Sequence, residues 1–390
     1  MLMKNEKNIS ATEADADNTV KNARKQKIIL TAGGTGGHIY PALALADLWR
    51  RQNPETHFLF IGNDDRMEAE LIPARGYRFE GLHSSGLEIS LMHKIKAVFQ
   101  TFTSYFRARS ILKREKPDLV MGFGGYVTAP VLMAAEHLHI PVMIHEQNSV
   151  VGKANKLVMK KADGIAVCYE KCFEVFDPRK TRLIGNPRAS LAVQACSDTE
   201  YFRSLGLDPK KKTIMIVMGS LGSSSVNEMM KEALRKVDPS LQILYVAGKQ
   251  NPVQEGDFPE NVVVRDFVDT TKIYGLLDGI VCRAGATTLC EVCALGIPSV
   301  IIPSPYVANN HQFYNASMLT ENKAALMIEE KDLNADTLAD AISRAFLNEK
   351  NRQKLSEHAR TMGTPDAASD LISWAEQIMA EKRAELKNRI

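Results

Sequence analysis

Lys27-Ile-Ile-Leu-Thr-Ala-Gly-Gly-Thr-Gly-Gly-His38 is an apolar run that breaks into glycines and leads into the Ala/Leu-rich stretch Pro41–Gln52. A run without polar alternation predicts a strand buried on both faces, and the spacing from about Pro41 to Gln52 predicts a helix. Glycines between the two let the backbone turn sharply and approach a ligand without Cβ clashes. The helix start offers free N–H groups and a positive dipole end, which suits phosphate. A plain strand-to-helix turn would look similar. No Lys-Ser/Thr follows, so this is not a Walker loop, and Ile39 stands where a GxGxxG fingerprint needs its third glycine.

Outward from this stretch the alternation continues. His57–Ile61, Leu119–Met121, Val142–His145, Gly164–Val167 and Arg182–Ile184 are further short apolar runs between helical segments. The pattern restarts at Thr213-Ile-Met-Ile-Val-Met218, with its own Gly/Ser turn and helix. Gln242–Ala247, Val262–Val264, Gly279–Cys282 and Ser299–Ile302 follow. Two consecutive doubly wound parallel sheets of the α/β class are expected, with a boundary near Gly185–Thr199. Ligands of such sheets sit beyond the carboxyl ends of the strands, so the loops there carry the function.

Composition agrees. The 390 residues are long enough for two domains, and 45% apolar with 24% charged residues is a globular profile. A net charge of +3 excludes a general nucleic-acid binder. Six cysteines lack framework spacing and fit a reduced, cytoplasmic setting. Cys290-Glu-Val-Cys293 has no second ligand pair and reads as packing. Residues 1–26 are polar, lack a signal-peptide pattern and are expected to form a disordered tail. No apolar run approaches the roughly 20 residues of a spanning helix.

Two further strand ends of the first half carry polar or glycine-rich runs. Gly122-Phe-Gly-Gly-Tyr126 follows one strand and His145-Glu-Gln-Asn148 ends another, so with Gly33–His38 they converge on one cleft. Thr35, Gly36, Gly37, Gly124, Gly125 and Asn148 are its candidate ligand-facing residues. In the second half, Gly219–Ser223 repeats the strand–turn–helix theme. Cys282-Arg-Ala-Gly-Ala-Thr-Thr-Leu-Cys-Glu291 places Ala286, Thr287 and Thr288 at a helix start, where backbone N–H groups suit a pyrophosphate. Glu291, one turn on, could accept both hydroxyls of a ribose or be a solvated helix charge. Asn310-His-Gln312 offers donors and acceptors suited to sugar hydroxyls.

The blocks GGTGGH (33–38), GFGGYV (122–127), HEQN (145–148), GNPR (185–188), CRAGATTLCE (282–291) and NHQ…NA (310–316) resemble the MurG family of UDP-N-acetylglucosamine transferases over roughly residues 27–375. That resemblance implies the two-lobed GT-B architecture and an inverting enzyme. N-acetylglucosamine would pass from UDP to the muramoyl 4-hydroxyl of undecaprenyl-diphospho-muramoyl-pentapeptide (lipid I to lipid II) in peptidoglycan synthesis. It also implies an acceptor-binding, membrane-facing domain over 27–190 and a UDP-sugar domain over 191–365. The helix over 366–390 could cross back to the first domain. By the same resemblance Ser220 meets the diphosphate, Arg188 lies at the domain junction near the nucleotide, and Val268 flanks the uracil. Ala286–Thr288 approach the phosphates, Glu291 takes the ribose, and His311 and Gln312 read the sugar. Thr35, His38 and Asn148 face the donor sugar. Leu221 and Thr287 depart from the family's usual residues at their positions, an amide and an apolar side chain.

Such a transfer needs a base at the attacking hydroxyl and positive partial charge at the departing diphosphate. His38 is the first candidate base, because histidine as a residue type titrates near neutral pH, and Glu146 is the rival. No cofactor is expected, and no metal: a DxD pair follows none of the strands, Asp15-Ala-Asp17 lying in the tail. The expected partners are UDP-N-acetylglucosamine, the polyprenyl-diphosphate-linked muramoyl-pentapeptide, an anionic membrane surface bound peripherally on the cytoplasmic face, and other cell-wall synthesis proteins. Leu91, Ile95, Val98, Phe99, Phe102 and Phe106 form a helical stripe flanked by Lys94, Lys96, Arg107, Arg109, Lys113 and Arg114. It would either pack internally or meet the membrane. The competing readings are a GT-B transferase with another lipid acceptor, a UDP-sugar epimerase, a nicotinamide oxidoreductase and a non-catalytic nucleotide-sugar module.

Overall fold

The computed structural model describes residues 25–84, 91–218, 224–248, 253 and 255–388, without the side chains of 91–98, 224–226 and 255. Residues 1–24, and with them all of the expected tail but Lys25 and Gln26, lie outside the described residues, as does the 219–223 turn with Ser220 and Leu221. Two all-parallel sheets stand in succession. The first contains β1 (Lys27–Thr31), β2 (His57–Asn63), β3 (Arg78–Leu82), β4 (Leu119–Gly122), β5 (Val142–Glu146), β6 (Gly164–Val167) and β7 (Thr181–Leu183), ordered β3-β2-β1-β4-β5-β6-β7. The second contains β8 (Thr213–Val217), β9 (Gln242–Val246), β10 (Val262–Arg265), β11 (Gly279–Cys282), β12 (Ser299–Ile301) and β13 (Leu326–Met327), ordered β10-β9-β8-β11-β12-β13.

Both orders reverse at the first strand of their sheet. In the first sheet Thr31 pairs with Gly122, so the turns after β1 and β4 leave side by side. In the second, Cys282 pairs with Val217 in the same way. These are the switch points at which parallel sheets open a crevice. Each sheet is covered on both faces. Ile28, Leu30, Leu45, Trp49 and Phe60 pack on one side of the first sheet, and Ile29, Ile61, Val120, Leu132 and Ile144 on the other. The second sheet repeats the arrangement. The two-sheet α/β expectation is met.

Two strands carry weak sequence signals. β3 (RFEGL) is only partly buried and β13 is two residues long, so neither forms a continuous apolar run. The first helix starts at Gly36 rather than near Pro41. Thr35, with extended φ and ψ, acts as its N-cap, and the glycines themselves form its first turn. The last helix, Ala367–Lys387, packs on the first sheet: Leu371, Trp374, Ala375 and Ile378 share a core with Ile28 and Leu45. Gly164 leaves room for it, because a Cβ there would lie 3.0 Å from Trp374.

Candidate active site

The turns after β1 and β4 interlock through their glycines. Gly124 and Gly125 have φ of +106° and +94°, the left-handed region that favours glycine. A Cβ on Gly124 would lie 2.9 Å from His38 Nε2, and one on Gly125 would collide with the Gly33 carbonyl. Gly33 N–H donates to the Gly124 carbonyl at 3.1 Å, joining the turns directly. His38 lies in the first helical turn, and its Nδ1 is 3.0 Å from the Gly33 carbonyl oxygen. A carbonyl only accepts, so Nδ1 carries a proton, and in the neutral ring Nε2, against Gly124, is then the acceptor. The Thr35 hydroxyl lies 3.3 Å from the same Nδ1. A Cβ on Gly36 would meet the Tyr40 ring at 2.9 Å, whereas one on Gly37 would make only an ordinary contact, 3.7 Å from Thr35 Oγ1.

Glu146 is 2% exposed. Its carboxylate accepts from Asn148 N–H at 3.1 Å, Gly152 N–H at 2.8 Å and Asn155 Nδ2 at 2.9 Å. Those donors engage both carboxylate oxygens within the loop after β5. His145, beside it, is fully buried and donates from Nε2 to the Gly185 carbonyl at 2.9 Å. Burial lowers its pKa to about 4, against a smaller upward pull from that bond.

Opposite stand the second lobe's strand ends. The helix Ala286–Leu295 begins after Gly285 without a side-chain cap, leaving the amides of Ala286, Thr287 and Thr288 unclaimed by one. The Thr287 hydroxyl is buried with no partner. Glu291 is 3% exposed and is no solvated helix charge. It accepts from Arg188 Nε at 2.6 Å and Tyr274 Oη at 3.0 Å, and Arg188 adds a second contact. Burial pushes the Glu291 pKa up while Arg188 and Tyr274 pull it down. Val268 is buried and follows the exposed Phe267. Gln312 Oε1 accepts from Ser304 N–H at 2.9 Å, and His311 Nδ1 meets the Ala308 carbonyl at 2.9 Å.

The lobes meet through these same loops. Asn315, fully buried, accepts from Ser149 N–H at 3.0 Å and Ser149 Oγ at 2.9 Å, and donates to Asn148 Oδ1 at 3.2 Å. Arg188 to Glu291 is a second junction, and Lys171 over the Tyr314 ring at 4.7 Å a third. Asn315 and Tyr274 are contacts that the sequence reading did not assign. Asn315 lay inside a quoted block without a role, and a lone tyrosine after β10 gives no signal. Cys290 and Cys293 are free thiols, and burial lifts Cys293 to about 12. Among the described residues, Asp64, Asp65 and His83 bring three ligand atoms within 4.8 Å, all on exposed side chains.

The glycosyltransferase family 28 N-terminal domain matches residues 28–167, and the family's C-terminal domain matches residues 213–371. A protein of Halalkalibacterium halodurans named UDP-N-acetylglucosamine--N-acetylmuramyl-(pentapeptide) pyrophosphoryl-undecaprenol N-acetylglucosamine transferase is 40% identical over 361 residues, covering 90% of this chain and 99% of that protein. The crystal structure of Acinetobacter baumannii MurG superposes with a TM-score of 0.72 at 28% identity, covering 90% of this chain and 99% of that one. A UDP-N-acetylglucosamine 2-epimerase shares the fold, with a TM-score of 0.64 at 15% identity over 89% and 95% of the two chains.

Proposed function

The chain belongs to glycosyltransferase family 28 and to its MurG members, and from that membership we propose how its own residues carry out the transfer. The enzyme uses UDP-N-acetylglucosamine and delivers N-acetylglucosamine to the lipid-linked muramoyl acceptor, forming lipid II for the cell wall. In the proposed arrangement the second lobe holds the donor. Glu291 binds the ribose hydroxyls, the backbone beside Val268 flanks the uracil, and the amides of Ala286–Thr288 take the diphosphate. Ser220 joins them in the adjoining turn. Gln312 and His311 read the sugar, with Thr35 and Asn148 on its far side.

The acceptor hydroxyl enters from the first lobe, between the glycine turns at Gly36-Gly37 and Gly124-Gly125. His38 Nε2 takes the hydroxyl proton as the oxygen bonds to the anomeric carbon. The bond to the diphosphate breaks, and UDP leaves with its electron pair. Amide dipoles and Arg188 offset the charge that develops on the leaving oxygen. The interlobe contacts carry this reading: Arg188 on Glu291 and Asn148 on Asn315 bring acceptor-side and donor-side loops to one crevice.

The acceptor's polyprenyl chain requires a membrane. No helix among the described residues is long and apolar enough to cross one. On the helix Leu91–Glu115, Ala108, Ile111 and Leu112 pack inward, while Phe99, Phe102 and Phe106 are 66%, 60% and 51% exposed. The side chains of Leu91, Lys94, Ile95, Lys96 and Val98 lie outside the described residues. We assign the phenylalanines, with Arg107 and Lys113, to a peripheral contact with anionic lipid on the cytoplasmic face. Contact with other cell-wall synthesis proteins is compatible with that location.

Radiolabelled UDP-N-acetylglucosamine, incubated with and without the lipid-diphospho-muramoyl acceptor, tests the function. Label should enter the organic phase only with acceptor. A new UDP-sugar formed without lipid would mark an epimerase instead.

A further inference from the structure

Glu68 opens the short helix Glu68–Ala74 after β2 and is a fully buried carboxylate outside every motif quoted above. Its Oε1 accepts from Asn63 N–H at 3.0 Å, Asn63 Nδ2 at 3.1 Å and Gly34 N–H at 3.2 Å, and Oε2 lies 3.3 Å from Gly34 N. Gly33 has to be glycine here, since a Cβ would run into Glu68 Oε1. The Gly34 N–H and the Gly33 carbonyl are two ends of one planar peptide group. That carbonyl is the partner of His38 Nδ1.

We infer that Glu68 is a positioning residue for His38, acting through the Gly33–Gly34 peptide: carboxylate to N–H at one end, carbonyl to Nδ1–H at the other. A buried negative charge polarises the amide it accepts from, and hydrogen bonds in series strengthen one another at low local dielectric. The strengthened Gly33 carbonyl holds the proton on Nδ1 and fixes the ring, so Nε2 faces Gly124 as a free acceptor. Catalytic histidines are commonly oriented by a carboxylate bonded directly to the ring. Here a peptide unit stands between the two. The inference rests on the reading of His38 as base for its catalytic consequence, but not for its tautomer.

Nitrogen-15 NMR of the histidine-labelled full-length enzyme, with His38→Gln used to assign the signals, separates the two claims. In the unsubstituted enzyme at neutral pH, His38 should show a protonated Nδ1 and a bare Nε2. A proton on Nε2 overturns the inference without any further variant. Glu68→Gln should populate the second tautomer and lower kcat about tenfold with little change in the donor KM. In a His38→Gln background the same substitution should have no further effect on kcat. Unchanged nitrogen shifts in a folded Glu68→Gln or Glu68→Asp enzyme would also overturn it. Altered shifts with undiminished kcat would leave the coupling standing and remove His38 as the base.

Discussion

Glu291 and His38 occupy opposite chemical niches. Glu291 is a buried anion whose oxygens are already claimed by Arg188 and Tyr274. In the proposed arrangement a ribose bound there would displace Arg188 or Tyr274, and displacing Arg188 would free its guanidinium for the diphosphate. A hydrogen bond to a charged group is worth about 1.5–3 kcal/mol. Glu291→Gln should therefore raise the KM for UDP-N-acetylglucosamine roughly 10–100-fold, readable in steady-state kinetics at saturating acceptor. His38→Ala should instead lower kcat about 100-fold or more, the usual scale for losing acid–base help. Near-normal turnover in that variant would remove the imidazole from the mechanism. His145 links pH to stability rather than to chemistry. Its folded pKa of about 4 lies below the ordinary value of 6.5. Between those values the unfolded chain binds a proton that the folded chain does not. The contribution of neutral His145 is thus complete above pH 6.5 and is lost as pH falls toward 4, at up to about 1.4 kcal/mol per pH unit. Urea unfolding across that window should show the slope, and His145→Gln should flatten it.

At the scale of elements, the legible features were those written in continuous residues. KIILT and TIMIV announce strands buried on both faces, and the glycines after β1 and β4 announce turns that approach something closely. The helix start at Ala286 was equally plain. Hidden features depended on partners far along the chain. Asn315 meets Ser149 across 166 positions, and Glu68 reaches back to Gly34 across 34. No local pattern encodes either contact. A carboxylate after a strand, such as Glu146, reads the same whether it faces a ligand or the amides of its own loop. The exposed phenylalanines of Leu91–Glu115 look in sequence like a packing stripe, and only the burial of the opposite face distinguishes them. The final helix depends on Trp374, buried against the first sheet and stacked by Arg182 at 4.6 Å. Trp374→Ala should cost about 3–5 kcal/mol, measured as a lowered denaturant midpoint.

At the scale of the molecule, two sheets present their switch points to one crevice, and the helix Ala367–Lys387 returns to the first lobe so that both ends of the described chain stabilise it. In the proposed arrangement the lobe with the phenylalanine face also carries the acceptor turns, so membrane contact and lipid-linked substrate would share one half. Replacing Phe99, Phe102 and Phe106 together by serine should weaken binding to anionic vesicles at least tenfold in a flotation assay, since each buried phenylalanine contributes about 1.5–3 kcal/mol. Unchanged binding would assign that face another purpose. The central claim concerns where the nucleotide lies, and a crystal structure of the UDP complex tests it most directly. The ribose hydroxyls should bond to the Glu291 carboxylate, with the diphosphate at the amides of Ala286–Thr288. A nucleotide seated in the first lobe, with Arg188 still paired to an unliganded Glu291, would contradict it.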